Sequence, residues 1–487
     1  MKRLFTKKSL VDIREEAFDE SIGLKRTLGP VHVILLGIGV IIGAGIFVLT
    51  GHASAQFAGP GIVLSFALAA VACAFAGLCY AEFASMLPIA GSAYTYAYAT
   101  LGQFIAWIIG WDLILEYSLG GTTVAIGWSG YFTSFLNDVG LSLPDYLTSP
   151  PFSYNPELGE WMRTGALMNL PAALIIAFIT VILVVGIRES ALLNAVVVFI
   201  KAAILVTFIA VGFFFVKPEL WKPFIPPNKG AFGIFGLSGV LRAAGVIFFA
   251  YIGFDAVSTV AQETKNPQRD MPTGILGSLL ICTVIYVLTC LVLTGVVHYS
   301  ELNVPAPFAV ALDAMKLGIF SPLLKVGAIA GLTSTILVLL LGQSRIFFSM
   351  SKDRLLPPWT SKVHPKFGTP FVTTVITGTM TGVAAALLPI GIVGELVSIG
   401  TLLAFVIVCG GVLVLRYSQP GAHRPFRAPG GAFTPIMGML SCLYLMSGLP
   451  RDTWMRLFVW LIIGFLIYFG YGIKKGKREP RPGDRGP

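Results

Sequence analysis

Charge is scarce in this chain. Only 12% of its 487 residues are Asp, Glu, Lys or Arg, against 55% hydrophobic, and the mean hydropathy is +0.82. Soluble domains carry about 25% charged residues, so a water-facing globular enzyme is excluded and a polytopic membrane protein is implied. Cysteine is also sparse. Cys73, Cys79, Cys282, Cys290, Cys409 and Cys442 lie in or beside apolar runs without metal-ligand spacing, which fits small buried hydrophobes. The five histidines, His32, His52, His298, His364 and His423, sit at run ends or in loops and offer no axial pair for a haem. Long polar stretches are missing as well. There is room for loops but for no soluble domain, the longest loop being about 135–169. No cleavable signal is expected, because the first 30 residues include Asp12, Glu15, Glu16, Asp19 and Glu20.

Apolar runs are what the chain has. About 20 apolar residues cross a bilayer, and runs of that order recur at 31–51, 61–87, 102–134, 170–186, 190–216, 237–262, 273–298, 321–350, 371–389, 394–416, 433–450 and 455–473. Twelve spans place both termini on one side. Of the 34 Lys and Arg residues, 24 fall on that side, nine on the other, and Lys201 lies within the membrane. The positive-inside rule makes the basic side cytoplasmic. The net charge of +10 then reflects topology and an anionic inner leaflet, with no nucleic acid implied.

Two of the runs are interrupted near mid-depth. Gly43-Ala44-Gly45 breaks the first, and Ile252-Gly253-Phe254 breaks the sixth. Broken helices at matching places in two halves point to a transporter's binding site. The first and sixth spans start on opposite sides, so two five-span halves would be inverted repeats, with the last two spans outside them. A helix interrupted in the membrane exposes N–H groups at one new end and carbonyls at the other. N–H groups suit a carboxylate and carbonyls an ammonium, which together describe an α-amino acid zwitterion. The carboxylate is expected on Gly43, Ala44 and Gly45, and the amine on the carbonyls of Ile41, Phe249, Ala250 and Ile252.

Ionisable residues inside spans are read as functional. Lys201 stands about 11 residues, or roughly 16 Å, into its span. It is open to three readings: a proton carrier, an ammonium in the place of a sodium ion, or half of a static ion pair. Asp112 and Glu116 are one turn apart on the third span. Glu116 either faces the substrate, where it would favour a cation or supply a proton site, or joins a neighbouring helix. Asp255 is expected to cap or stabilise the half-helix after the second break, and Glu82 and Arg345 to sit near the cytoplasmic ends of their spans, as ordinary interfacial charges in preference to a gate ion pair. Tyr94, Tyr96 and Tyr98 fit an interfacial aromatic belt.

The ordered motifs GIGVIIGAGIFVLTG, CYAEFASMLPIAGSAYTYAY, GWDLILEY, FFAYIGFDAVSTVAQETKNPQRDMP and GQSRIFFSMSKDRLLP resemble the amino acid–polyamine–organocation transporters, in particular the bacterial branch similar to cationic amino acid transporters. The resemblance covers nearly the whole chain. It implies an all-α membrane protein of twelve transmembrane helices with a LeuT-like 5+5 inverted repeat, broken helices 1 and 6, and two additional C-terminal helices. The organisation expected is a cytoplasmic N-terminal tail at 1–30, repeats at 31–216 and 237–416, helices 11 and 12 at 433–473, and a cytoplasmic tail at 474–487.

The resemblance also implies secondary transport of amino acids across the cytoplasmic membrane by alternating access, with protons as the coupling ion, no cofactor and no catalytic chemistry. An amino acid or polyamine exchanger and a non-transporting amino acid receptor are the alternatives; an accessory subunit is left open. By resemblance Gly43, Ala44 and Gly45 take the carboxylate, Phe249, Ala250 and Ile252 supply carbonyls, Lys201 serves coupling, Glu116 belongs to the side-chain pocket, and Leu339 trims it. Leu339 argues for small or neutral substrates and Glu116 for cationic ones. Two departures stand out. Ala44 replaces the usual Ser or Thr, leaving carboxylate binding to backbone N–H groups, and Arg354 replaces a glycine, so an altered turn is expected.

Overall fold

A computed structural model of the chain describes residues 28–86, 92–155, 160–186, 191–255, 257, 261, 264–318 and 320–473. Both tails' basic residues before 28 and after 473 therefore lie outside the described residues, as do Gln262 and most of the segment after the second break.

Among the described residues, seven helical stretches are long and apolar enough to cross a membrane: Pro30–Met86, Gln103–Asp138, Val196–Phe215, Pro267–Val296, Phe320–Lys352, Ile390–Ser418 and Arg451–Gly472. Four shorter apolar helices accompany them, at Leu170–Val185, Gly236–Tyr251, Phe371–Leu387 and Phe433–Ser447. The helices used below are α1 (Pro30–Ile41), α2 (Ile62–Met86), α3 (Ser92–Thr100), α4 (Gln103–Asp138), α5 (Leu170–Val185), α6 (Ala191–Gly212), α7 (Gly236–Ile247), α8 (Pro267–Val296), α9 (Pro307–Ala314), α10 (Phe320–Lys352), α11 (Phe371–Leu387), α12 (Ile390–Ser418), α13 (Phe433–Ser447) and α14 (Arg451–Ile467).

Large apolar side chains such as Phe199, Leu237, Leu280 and Leu466 project outward from the bundle, all more than two-thirds exposed. In water so much exposed apolar surface would be a liability; against lipid it is the expected outer face, and the chain is a multi-pass membrane protein. The long helix α4 runs through the interior, packed along α10 and α12. Its Trp111 donates to Trp460 O at 2.8 Å, and Trp460 donates back to Trp111 O at 3.2 Å. This reciprocal pair, with the indoles stacked at 4.4 Å, fixes α14 to α4.

The loop 139–169 holds an element the apolar pattern does not show. Phe152–Asn155 (β1) and Glu160–Arg163 (β2) pair antiparallel, with Tyr154 opposite Trp161. Two four-residue strands are marginal alone. This hairpin is anchored to the start of α14, where Tyr154 donates to Asp452 at 2.8 Å.

Candidate functional site

Pro30 opens α1 at a position where its missing N–H costs nothing. The helix stops when Ile42 turns extended, with ψ 100°, after its N–H has bonded to Ile38 O. The chain resumes as a π-helical turn at Gly45–Leu49, a form concentrated at functional sites. In the sixth span, α7 tightens into a 3₁₀ turn at Phe248–Tyr251, and Ile252 goes extended at ψ 136°. Gly253 follows at φ 118°, a backbone conformation open to glycine.

The two breaks meet. A Cβ built on Gly45 would overlap Cα and Cβ of Ala250 and lie 2.6 Å from its N. A Cβ on Gly253 would lie 2.6 Å from Val40 Cγ1 and 3.1 Å from Val40 C. Glycine at each place therefore permits backbone-to-backbone contact between the first and sixth spans.

The carbonyls freed at the end of α1 are taken up by side chains from other helices. Lys201 Nζ on α6, 2% exposed, donates to Gly39 O at 3.1 Å and to Thr335 Oγ1 on α10 at 2.8 Å. An ammonium at a helix C-terminus is electrostatically favourable. Gly331 makes room for it, since a Cβ there would sit 2.8 Å from Lys201 Cγ. Thr335 in turn donates to Gly331 O at 3.1 Å, and its Cγ2 lies 3.2 Å from where a Gly43 Cβ would stand.

The hydroxyl of Tyr286, on α8 and fully buried, lies 2.8 Å from Ile41 O and 3.1 Å from Ala250 O. Its single proton serves either carbonyl, and both belong to the set expected to face an amine. At the second break, Phe249 N–H donates to Ser398 Oγ at 3.3 Å while Ser398 donates to Val246 O at 2.8 Å. Phe249 O accepts the Ile252 N–H at 3.2 Å. Gly253 N–H donates to Asp255 Oδ1 at 3.1 Å, so Asp255 holds the turn itself; most of the half-helix it was expected to cap lies outside the described residues.

Tyr286, Thr335 and Ser398 are absent from the sequence-based site. A tyrosine midway through the run 273–298 is the one signal that points to any of them.

Beside the breaks is an apolar wall. A Cβ on Gly120 of α4 would be 3.5 Å from Leu339 Cδ1 and 3.6 Å from Phe249 Cε2. Glu116, one turn earlier, is buried, and its Oε2 accepts from Thr401 Oγ1 of α12 at 2.8 Å. Ala44, φ −60° and ψ −22°, is buried at the start of the π turn.

Two expectations away from the breaks need correction. Glu82 pairs with Arg416 of α12, which reaches both its carboxylate oxygens, and also accepts the Ala428 N–H at 2.9 Å; Arg345 is exposed. The residue bonded to Glu82 lies at the end of a helix distant in sequence, where proximity cannot be read from hydropathy. Tyr94, Tyr96 and Tyr98 form no interfacial belt, since all three are buried. Tyr96 stacks on Phe83 at 5.3 Å, and Tyr94 donates to Asp353 at 2.8 Å. Burial and the Asp353 carboxylate hold the Tyr94 phenol well above its ordinary range, so it remains a donor.

Arg354, next to Asp353, adopts φ 60°. This is the left-handed region that favours glycine.

The chain matches the amino acid permease family over residues 28–476. It is 46% identical over 475 residues to the branched-chain amino acid permease BcaP of Bacillus subtilis (strain 168), covering 97% of this chain and 98% of that protein. It is 44% identical to the methylthioribose transporter of the same organism, covering 97% and 99%. It is also 38% identical to the vacuolar cationic amino acid transporter 4 of Arabidopsis thaliana, covering 82% of this chain and 64% of that one.

Proposed function

The chain belongs to the amino acid permease family and transports amino acids without transforming them, and from that premise we propose that its substrate is a neutral α-amino acid with an apolar side chain, moved together with protons by alternating access. The proposed architecture is twelve transmembrane helices, with inverted five-helix repeats at 31–216 and 237–416, helices 11 and 12 at 433–473, and tails at 1–30 and 474–487 on the cytoplasmic side.

One observation carries the substrate assignment: the wall next to the breaks is Gly120, Leu339 and Phe249. An apolar pocket gains about 25 cal/mol per Å² of apolar area buried, and a guanidinium placed there would need a partner. The branched-chain permease named among the relatives is consistent with this choice.

The substrate carboxylate is assigned to the N–H groups of Gly43, Ala44 and Gly45. The ammonium is assigned to the carbonyls of Ile41, Phe249, Ala250 and Ile252, of which Ile41 and Ala250 lie beside the Tyr286 hydroxyl. Bound substrate would compete with Tyr286 for the carbonyls of Ile41 and Ala250. Lys201, joined at once to α1 and α10, is the proposed coupling residue, because loss of its proton would weaken its tie to Gly39 O.

The test is uptake of labelled leucine and arginine into proteoliposomes under an imposed inward proton gradient. Accumulation of leucine well above arginine is expected, and Lys201→Ala should abolish gradient-driven accumulation. Preference for arginine would overturn the substrate assignment, and full gradient-driven uptake by Lys201→Ala would overturn the coupling role.

A further inference from the structure

Asp112 lies one turn from Glu116 on α4. Its side chain is 1% exposed, and neither carboxylate oxygen accepts a hydrogen bond from any described residue. It points at α12, where Gly400 leaves it space: a Cβ there would lie 2.7 Å from Oδ1, 3.3 Å from Cγ and 3.4 Å from Oδ2. The next residue along α12 is Thr401, whose hydroxyl donates to Glu116 Oε2, while Glu116 Oε1 has no partner. Two carboxyl groups thus share one seam between α4 and α12.

The surroundings decide which form of Asp112 this seam accommodates. Gly400 and Thr401 face it from α12, and Glu116 is its neighbour on α4. The charged or titratable groups that act on Glu116 are Asp255, from the second break, and Asp112 itself. The phenols of Tyr80 on α2 and Tyr117 on α4 lie within reach of Glu116. None of these groups is a cation. Removing an unpaired carboxylate from water costs several kcal/mol, and a second negative charge alongside adds to that. The neutral acid avoids both penalties.

We propose that Asp112 is a proton-carrying residue of the transport cycle. It holds a proton while α4 and α12 are packed as described, and releases it when α12 moves away from α4 and admits water. The O–H bond of the carboxylic acid breaks heterolytically; the electron pair stays on the carboxylate and the proton passes to that water. Recharging reverses the step before the helices pack again. This rests on the reading of proton coupling above and adds to it a second proton site, on a different helix from Lys201.

The test uses purified full-length protein. In the leucine-induced infrared difference spectrum of wild type, a protonated-carboxyl band is expected to change, and Asp112→Asn should remove that change. In proteoliposomes, Asp112→Asn should retain leucine counterflow at within about twofold of wild type, lose at least tenfold in gradient-driven accumulation, and flatten the pH profile of uptake. Gradient-driven accumulation at the wild-type level in Asp112→Asn, or an infrared change unaltered by it, overturns the proposal. If Asp112→Asn fails to fold, wild type still decides: absence of a protonated-carboxyl band overturns the assignment. Failure of the broader reading is separately visible as wild-type uptake that ignores the proton gradient.

Discussion

Gly45→Ala probes the contact on which the site is built. The new Cβ would overlap Cα and Cβ of Ala250 and stand 2.6 Å from its N. Those atoms belong to the backbone and to a methyl stub, so no side chain can rotate aside. Ordinary contact needs about 3.5–4 Å between carbons, and the two breaks would have to part by about 1 Å or more. Overpacking of this kind costs about 1–3 kcal/mol, a factor of about 5–150 if the strain falls on the binding-competent arrangement. Isothermal titration of leucine into purified protein should show affinity at least about fivefold weaker, with helical content by circular dichroism unchanged. Gly43→Ala is the comparison. Its Cβ would meet Thr335 Cγ2 at 3.2 Å, a side-chain methyl able to yield by a few tenths of an ångström, so a smaller loss is expected. Wild-type affinity in Gly45→Ala, or a larger loss in Gly43→Ala, would refute the close approach of the two breaks.

Two further substitutions test neighbouring parts of the account. Tyr286→Phe removes the hydroxyl beside Ile41 O and Ala250 O and leaves buried carbonyls without that donor, a loss of about 1–3 kcal/mol; a lower melting temperature by scanning calorimetry is the expected result, and an unchanged one would contradict the bridging role. Arg354→Gly relieves a left-handed residue at φ 60°. After the added chain entropy of glycine is subtracted, stabilisation of about 0.5–1 kcal/mol is expected, read as a higher melting temperature with leucine affinity unaltered.

The first and sixth breaks were legible because glycine is conspicuous inside an apolar run. Their pairing was expected from matching places in the two halves of the chain, and Arg354 stands out where the family pattern has glycine. What closes the site was less legible. The carbonyls freed by the first break are bonded by Lys201, itself held by Thr335, and by Tyr286, drawn from three helices, and hydropathy fixes neither the rotation of those helices nor their register. Lys201 announced itself by charge alone; Tyr286, neutral and apolar over most of its surface, did not. Glu82 shows the same limit in reverse: its charge was evident, but its bond to Arg416 depends on how the ends of two distant helices lie together. The hairpin at Phe152–Arg163 escaped for another reason. Two four-residue strands give too short an alternation to stand out in a polar loop, and their anchoring through Asp452 is a tertiary effect.

The central claim is that the joined breaks receive both charged ends of an amino acid through backbone groups. Competition against labelled leucine, on purified protein at equilibrium, by unlabelled leucine, leucinamide and 4-methylpentanoate isolates those ends while holding the side chain nearly constant. The account predicts displacement by leucine and at least a tenfold weaker effect from each analogue, because leucinamide lacks the carboxylate for Gly43-Ala44-Gly45 and 4-methylpentanoate lacks the amine for the carbonyls of Ile41, Phe249, Ala250 and Ile252. Displacement by either analogue at concentrations comparable to leucine would contradict it.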